Sequence, residues 1–261
     1  MDNMSNIENV KKQYSNSDNL NIRISIHTKY SINKQGFGNW INEQYEIADD
    51  CRILELGCGN GDMWKENIKH IGKNSTLILS DFSEGMVEEV KKKYNIYENV
   101  SFQQINIEDI PYKEKSFDII IANMMLYHVP NLDKALSEVL RVLKTNGKFY
   151  TATFGENGIH KYILSSLNDN GFNHENKNAF TLQNGDTILN KYFNNVVKKE
   201  YIDALEITDT NDLINYIYSM TSIINVKEED RNSLFEFFEN RKDINGVIRI
   251  PKEYGMFISN K

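Results

Sequence analysis

The chain has 261 residues, of which 40% are hydrophobic and 26% are charged, proportions that are ordinary for a globular protein. This length allows one large α/β domain or one domain with an appended piece. The net charge of −7 argues against a nucleic-acid partner, because phosphate binding needs a clustered basic surface.

Cysteine and histidine usage disfavours disulfide and metal chemistry. Cys51 and Cys58 are too few for a disulfide framework or a cysteine zinc site, and the five histidines have no paired spacing with carboxylates. We therefore expect no metal. The first residues are polar, without the apolar stretch of a signal peptide, and no 18 apolar residues run together. These features predict a cytoplasmic protein without membrane contact.

The hydropathy pattern of the chain changes at residue 52. Residues 1–50 are polar, punctuated by aromatics, with helical spacing over 22–33 and 38–47. After them, short apolar runs predict strands covered on both faces of a parallel sheet. The predicted strands are 52–56, 76–81, 100–105, 117–124 and 148–154, and helical spacing occupies 60–71, 83–94 and 131–144, with a helix C-cap predicted at Asn146–Gly147.

The pattern loosens after residue 155. It predicts helices over 158–170 and 182–191, a strand over 195–206, two helices within 211–241, and either two strand arms or one bent strand over 246–259. Alternating strands and helices indicate right-handed crossovers and a doubly wound α/β sheet. No internal repeat or Pro/Gly-rich linker divides the chain, so we expect the helices of 211–241 to be an insertion into one domain.

The stretch "ILELGCGNGD", residues 53–62, places three glycines just after the first predicted strand. Glycines there permit positive φ and let a ligand approach backbone N–H groups. Asp81 closes the second strand, where an acidic side chain can accept hydrogen bonds from ribose hydroxyls. The third glycine comes one residue too early for the dinucleotide fingerprint. These residues support a nucleoside ligand and disfavour a pyrophosphate.

Four motifs in register resemble the class I S-adenosylmethionine (SAM)-dependent methyltransferases of the small-molecule "type 11", UbiE-like kind. They are "LELGCGNG", "LSDFSEGMVEEVKKK", "INIEDIPYKEKSFDIIIANMMLYHV" and "RVLKTNGKFYTATF", and the similarity runs from about Cys51 to Phe154. The resemblance implies a Rossmann-like, doubly wound sheet of seven mostly parallel strands, the last of them antiparallel. It also implies an N-terminal helical cap (1–50) on a methyltransferase domain (51–261), with a helical lid insertion at about 211–241.

The resemblance also implies a set of SAM-binding residues. Asp81 would accept both ribose hydroxyls, Ile107 would offer its backbone N–H to adenine, and Asn106 stands where the family more often has Asp. The full implied set is Glu55, Gly57, Cys58, Gly59 and Gly61 for the methionine and ribose end, Asp81 for the ribose, Phe82, Met86, Asn106 and Ile107 for the adenine, and Asn123 near the methionine moiety.

Candidates for the acceptor side are more open. In the family pattern His128 faces the cleft, and the cap would bring Tyr14 and His27 near the methionine end as a carboxylate contact and a base. Arg23 is an alternative to Tyr14 for the carboxylate, and packing or surface roles remain alternatives throughout. In the lid, Tyr216 and Tyr218 are two residues apart, so only one of them can face inward on a helix.

The resulting expectation is an enzyme that transfers the SAM methyl group to a small molecule by in-line displacement, releasing S-adenosylhomocysteine (SAH). The acceptor atom would be O or N, with C as a further alternative, and the protein would act as a monomer or homodimer. The competing hypotheses are a methyltransferase acting on protein or RNA, a non-catalytic SAM-binding protein, and a nicotinamide-dependent oxidoreductase.

Overall fold

The computed structural model describes residues 18–169, 180–220 and 226–261, and the strands within these ranges form one seven-stranded sheet. The extended segments are rich in Ile, Leu, Val and Phe, which suits a sheet covered on both faces. The strands are β1 Arg52–Leu56, β2 Thr76–Asp81, β3 Val100–Gln104, β4 Phe117–Ile121, β5 Leu143–Phe154, β6 Asn194–Ile207 and β7 Ile248–Asn260.

The strand order is β3-β2-β1-β4-β5-β7-β6. Strands β1 to β5 are parallel, and β7 lies antiparallel between β5 and β6. This confirms the predicted Rossmann-like, doubly wound sheet with its antiparallel last strand. The order reverses between β1 and β4, and ligands of such sheets bind at the carboxyl ends of the strands beside that reversal.

Helices connect the strands and extend the fold beyond them. Most match their predicted positions within a few residues. The helices are α1 Asp18–Tyr30, α2 Phe37–Gln44, α3 Glu84–Tyr94, α4 Leu132–Val142, α5 Ile159–Asp169, α6 Gly185–Leu189, α7 Thr210–Ser219 and α8 Arg231–Glu239. The terminal segment is a single long strand, β7, which settles the two alternatives left open for residues 246–259.

Two local predictions were wrong. The segment 60–71 is not one helix but two single 3-10 turns, Asp62–Trp64 and Ile68–His70, because Gly61 enters with a left-handed φ of 76° and Trp64 is pulled inward. Helix α4 stops at Val142 rather than at Asn146–Gly147, because Leu143 is already extended and pairs with Phe117 of β4. In both cases a tertiary contact overrides the local pattern.

Three apolar clusters hold the molecule together. Alternate residues of the central strands serve the two faces, so that Leu54 packs on one side of the sheet and Ile53 on the other. The third cluster joins α1, α5, α7 and α8 to the outer strands β6 and β7. There Tyr216 is buried and Tyr218 is partly exposed, as expected from their spacing. The division into a segment 1–50 and a domain 51–261 stays a prediction.

Candidate functional site

The glycine loop follows β1 at the edge where the strand order reverses. Gly57, Gly59 and Gly61 have φ values of 74°, 55° and 76°, in the left-handed region that favours glycine. The Cys58 N–H donates to Ser80 O at 2.8 Å and so ties the loop to the end of β2. Cys58 is buried, and burial raises the pKa of its thiol well above the usual range, so it is no nucleophile.

Asp81, at the end of β2, anchors this loop. Its Oδ2 accepts from the Gly59 N–H at 2.9 Å, and its Oδ1 accepts from the Ser83 N–H at 2.8 Å. Burial raises the pKa of this carboxyl, and the backbone N–H groups oppose that shift. Each oxygen keeps lone-pair capacity for a further donor. The carboxylate can therefore hold the loop and still receive hydroxyl groups.

Glu55 lies on β1 directly below the loop and is buried. Its Oε2 accepts from the Trp64 indole N–H at 2.5 Å. Burial, with a smaller contribution from the charge of Asp81, raises the pKa of Glu55 to about 7. Trp64 was not among the predicted site residues. Its only sequence signal is a large aromatic three residues after the last loop glycine.

The residues predicted for the adenine side lie at the carboxyl ends of β2 and β3. Met86 is buried in the first turn of α3, Ile107 is buried, and Phe82 is half-buried. Asn106 is exposed, and its Oδ1 accepts from the Glu108 N–H at 2.9 Å. That bond builds the turn after β3 and leaves one lone pair of the amide oxygen for another donor.

The turn after β4 carries two further residues of interest, Asn123 and Met125. Both ends of the Asn123 amide are bonded within the protein, since Nδ2 donates to Tyr45 Oη at 2.6 Å and Oδ1 accepts from the Ala152 N–H at 3.1 Å. Met125 packs against the loop so closely that a Cβ on Gly57 would lie 2.8 Å from its Cγ. Sequence reasoning missed Met125, although it directly follows the predicted fourth strand, 117–124.

Helix α1 lies over the glycine loop. A Cβ at Gly59 would lie 3.3 Å from Leu20 Cδ2, and the Asn60 side chain donates to Asn21 Oδ1 at 3.0 Å. Arg23 is on the same helix, one turn further along. Tyr14, predicted to contact the ligand from this segment, lies outside the described residues. The placement of α1 supports its proposed role as a cap.

Three histidines gather around the carboxyl ends of β4 and β5. His27 of α1 has its Nε2 3.2 Å from the Tyr254 hydroxyl. His128, on the turn after β4, packs beside Tyr127 with ring centroids 4.5 Å apart. His160, in the first turn of α5, was not predicted, because it lies about 100 residues after the glycine loop along the chain and has no spacing signal. The structure thus adds one histidine to the two that were expected.

Burial dominates the chemistry of two of these imidazoles. It lowers the pKa of His27 to about 3, assisted by Lys252 and His160 and opposed by Asp203. It lowers the pKa of His160 to about 4, assisted by Arg23 and His128. Both side chains are therefore neutral at pH 7 and can accept or donate a hydrogen bond.

These shifts predict acid sensitivity. An unfolded imidazole binds a proton below pH 6.5, whereas folded His27 binds one only near pH 3. Between these pH values the unfolded state therefore binds more protons, and the free energy of unfolding decreases as pH falls. We expect His27→Gln to remove on the order of 5 kcal/mol of the stability loss over this window, since a pKa difference of one corresponds to about 1.4 kcal/mol. Urea unfolding at a series of pH values measures it; parallel curves for variant and parent would contradict the prediction. Glu55, whose pKa is raised, affects the pH dependence of stability in the opposite direction, but it is present in both proteins and cancels when variant and parent are compared.

Two aromatics of the N-terminal segment have structural roles. Trp40 stacks on Phe37 with centroids 5.9 Å apart, and the Tyr30 hydroxyl donates to Asp212 Oδ2 at 2.6 Å.

Among the described ranges, no cluster of three His, Cys, Asp or Glu side chains could hold a metal ion. No helix in the described part of the chain is both long and apolar enough to cross a membrane.

Comparison with known proteins fits this geometry. Residues 47–200 match the family described as methyltransferase domain. The ubiquinone/menaquinone biosynthesis C-methyltransferase UbiE of Rickettsia prowazekii (strain Madrid E) is 37% identical over 110 residues, which are 40% of this chain and 44% of that protein. The match thus spans less than half the length of this curated relative.

Solved structures show the same fold. The YcgJ protein of Bacillus subtilis superposes with a TM-score of 0.58 at 20% identity, covering 86% of this chain and 97% of that one. Phosphoethanolamine N-methyltransferase 2 of Haemonchus contortus, solved in complex with SAM, gives a TM-score of 0.60 at 14% identity, covering 97% of this chain and 59% of that one. At these identities the likeness concerns the fold alone.

Sheet order and glycine loop together define a class I methyltransferase fold. Since the matched residues make up more than half of the chain, it belongs to the methyltransferase domain family. Within that family, the matched segment is similar to methyltransferases of the UbiE type.

Proposed function

We propose that this chain transfers the methyl group of SAM to a small-molecule acceptor, at O or N with C as the alternative, and releases SAH. The observation that carries the proposal is the glycine loop held by Asp81, with Gly59 N–H to Oδ2 at 2.9 Å. A loop of left-handed glycines without side chains, ending at a carboxylate, suits a nucleoside with an amino-acid tail.

The residues around the loop fit SAM chemically. Asp81 would accept the ribose hydroxyls, and Phe82 and Met86 would pack on the adenine, with the Ile107 N–H and the Asn106 amide at its edge. The remaining contacts would come from Glu55, Gly57, Cys58, Gly59, Gly61 and Asn123 near the methionine end. SAM supplies an activated methyl group on sulfur, so the protein's part is to hold the acceptor in line and exclude water.

A small acceptor is favoured over a macromolecule by charge. The net charge of −7 gives no electrostatic attraction for RNA. The UbiE relative is by name a C-methyltransferase of quinone biosynthesis, which keeps carbon among the acceptor atoms. The free thiols of Cys51 and Cys58 suit the cytoplasm. Action as a monomer or homodimer stays part of the proposal.

The test is isothermal titration of the purified protein with SAM, SAH and NAD⁺. We expect micromolar binding of SAM and SAH and none of NAD⁺, because the loop lacks the spacing for a pyrophosphate. Incubation of SAM with a panel of small acceptors should then release SAH. Binding of NAD⁺ alone would refute the proposal, and binding of SAM without turnover on any acceptor would favour a non-catalytic SAM-binding protein.

A further inference from the structure

A small cavity lies at the carboxyl end of β5. Its walls are Phe154, Gly155, Ile159, His160 and Tyr254, and we call it the β5 cavity. The ring of Phe154 stands edge-on to that of His160, with centroids 4.5 Å apart. The wall is otherwise apolar, so a bound molecule can make side-chain hydrogen bonds only with His160 and Tyr254 of the wall.

One short turn connects this cavity to the glycine loop. Tyr127, after β4, packs on Phe154 with ring centroids 4.6 Å apart. Met125, in the same turn, lies against Gly57. The β5 cavity is therefore next to the proposed SAM site, separated from it by this turn.

The His160 imidazole carries an unused hydrogen-bonding atom. Its Nδ1 is buried, and no described residue bonds to it. Buried polar atoms in proteins are nearly always paired, so an orphan in a cavity wall points to a missing partner. Tyr254 is held differently: its hydroxyl lies 3.2 Å from Nε2 of His27, which fixes the position of the phenol.

Charged groups of both signs lie around the cavity. The Glu253 carboxylate, beside Gly155, accepts from the Asn157 N–H at 2.7 Å and from Gln183 Nε2 at 2.8 Å. Arg23 adds to burial in lowering the pKa of His160. The Lys252 ammonium lies 5.0 Å from the centre of the Tyr254 ring, and Asp203, the carboxylate beside it, is already paired with Lys252 at 2.7 Å. A cationic ammonium guest would meet the like charge of Arg23, with the nearby carboxylates of Asp203 and Glu253 already bonded, whereas a neutral hydroxyl would meet no such repulsion.

We propose that the β5 cavity, which has room for about one water-sized group, receives the hydroxyl group of a neutral acceptor and that His160 is the catalytic residue that takes its proton. The Tyr254 hydroxyl donates to the same oxygen, and His27 is a positioning residue that orients Tyr254. The inference rests on the proposed function and narrows it to methylation on oxygen, in contrast to the carbon named for the UbiE relatives.

Each bond and proton in this step is accounted for. As the acceptor oxygen bonds to the methyl carbon of SAM, whose C–S electron pair stays on sulfur, the hydroxyl proton moves to His160 Nδ1. The imidazolium then releases the proton to water. A weakly basic imidazole suffices, because the proton on oxygen becomes strongly acidic once the C–O bond forms.

The experiment uses the full chain with ¹⁵N-labelled histidine, saturated with SAH and titrated with 4-ethylphenol, ethylbenzene or 4-methylbenzylamine. We expect 4-ethylphenol to shift the Nδ1 resonance of His160 and the other two probes to leave it in place. An unmoved resonance up to the solubility limit of the phenol overturns the inference, as does an equal shift with ethylbenzene or tighter binding of the amine.

A matched pair of variants separates hydrogen bonding from packing. His160→Phe keeps a ring of similar shape and should weaken 4-ethylphenol binding about fivefold, the size of one neutral hydrogen bond, with SAH affinity unchanged. His70→Phe, on an exposed turn, should change neither. Equal phenol binding in all three proteins overturns the inference. Loss of SAH binding by the parent chain would instead defeat the proposed function itself.

Discussion

Replacing Lys252 by alanine is expected to lower the free energy of unfolding by about 3–5 kcal/mol, because it leaves a buried carboxylate without its partner. Only 1% of the Lys252 side chain and none of the Asp203 side chain is exposed. The ammonium donates to Asp203 Oδ2 at 2.7 Å and to Ser31 Oγ at 3.0 Å, and Ser31 also donates to Asp203. The group therefore joins the end of α1 to β6 and β7.

The pKa of Asp203 shows how much the carboxylate depends on these donors. Burial raises it, but bonds from Lys252, Ser31 and the Asn33 N–H outweigh burial, and the net pKa is lowered. A lowered folded-state pKa contributes stability that is present above the unfolded value of 3.8 and is lost as pH falls through the folded value. Without Lys252 this contribution shrinks.

Urea unfolding measures the effect against a control. Lys198→Ala breaks an exposed pair with Glu200, at 3.0 Å, and should cost less than about 1 kcal/mol. The double variant Lys252→Met/Asp203→Leu, which removes both charges, should recover much of the loss. Equal destabilisation by Lys252→Ala and Lys198→Ala would show that the buried pair is not needed.

The second large effect is expected at Asp81. Asp81→Ala should weaken SAM binding by about 1.5–3 kcal/mol, or roughly tenfold to a hundredfold, since it removes charged hydrogen bonds to the ribose. It also frees the Gly59 and Ser83 N–H groups that the carboxylate now holds. Isothermal titration with SAM gives the affinity.

Two variants separate ligand contact from loop support. Asp81→Asn keeps the shape and one acceptor oxygen, and should fall between the parent and Asp81→Ala. Asp62→Ala changes an exposed carboxylate in the next turn and should bind SAM normally. Thermal unfolding without ligand shows how far the loop itself is weakened. Unchanged SAM affinity in Asp81→Ala would remove Asp81 from the site.

Much of the fold could be predicted because its signals are local. The strands alternate with helices, and consecutive apolar residues such as those of β4 mark a sheet covered on both faces. The errors lie where a distant contact decides the backbone. Trp64 turns inward to Glu55, and Leu143 pairs with Phe117, neither of which is visible in a window of neighbouring residues.

The residues of the candidate site also fall into those that local sequence signals identify and those that depend on distant contacts. The loop glycines and Asp81 occupy fixed positions relative to strand ends, so sequence alone could name them. Met125, Trp64 and His160 reach the site through side-chain direction and the packing of separate elements, and their spacing carries no signal. The Asn123 amide is bonded to Tyr45 and the Ala152 N–H within the protein, and its contact with the methionine end of SAM stays a prediction.

Strand β7 carries Lys252 and Tyr254 on one face and Glu253 between them on the other, and cross-strand pairing sets Asp203 opposite Lys252 and Tyr201 opposite Tyr254. A slip of one residue in this pairing would exchange the two faces. It would withdraw the ammonium from Asp203 and put a carboxylate where the phenol now stands. The register of β7 against β6 therefore sets both the buried ion pair that stabilises the molecule and the geometry of the β5 cavity, so that a change in one would change the other.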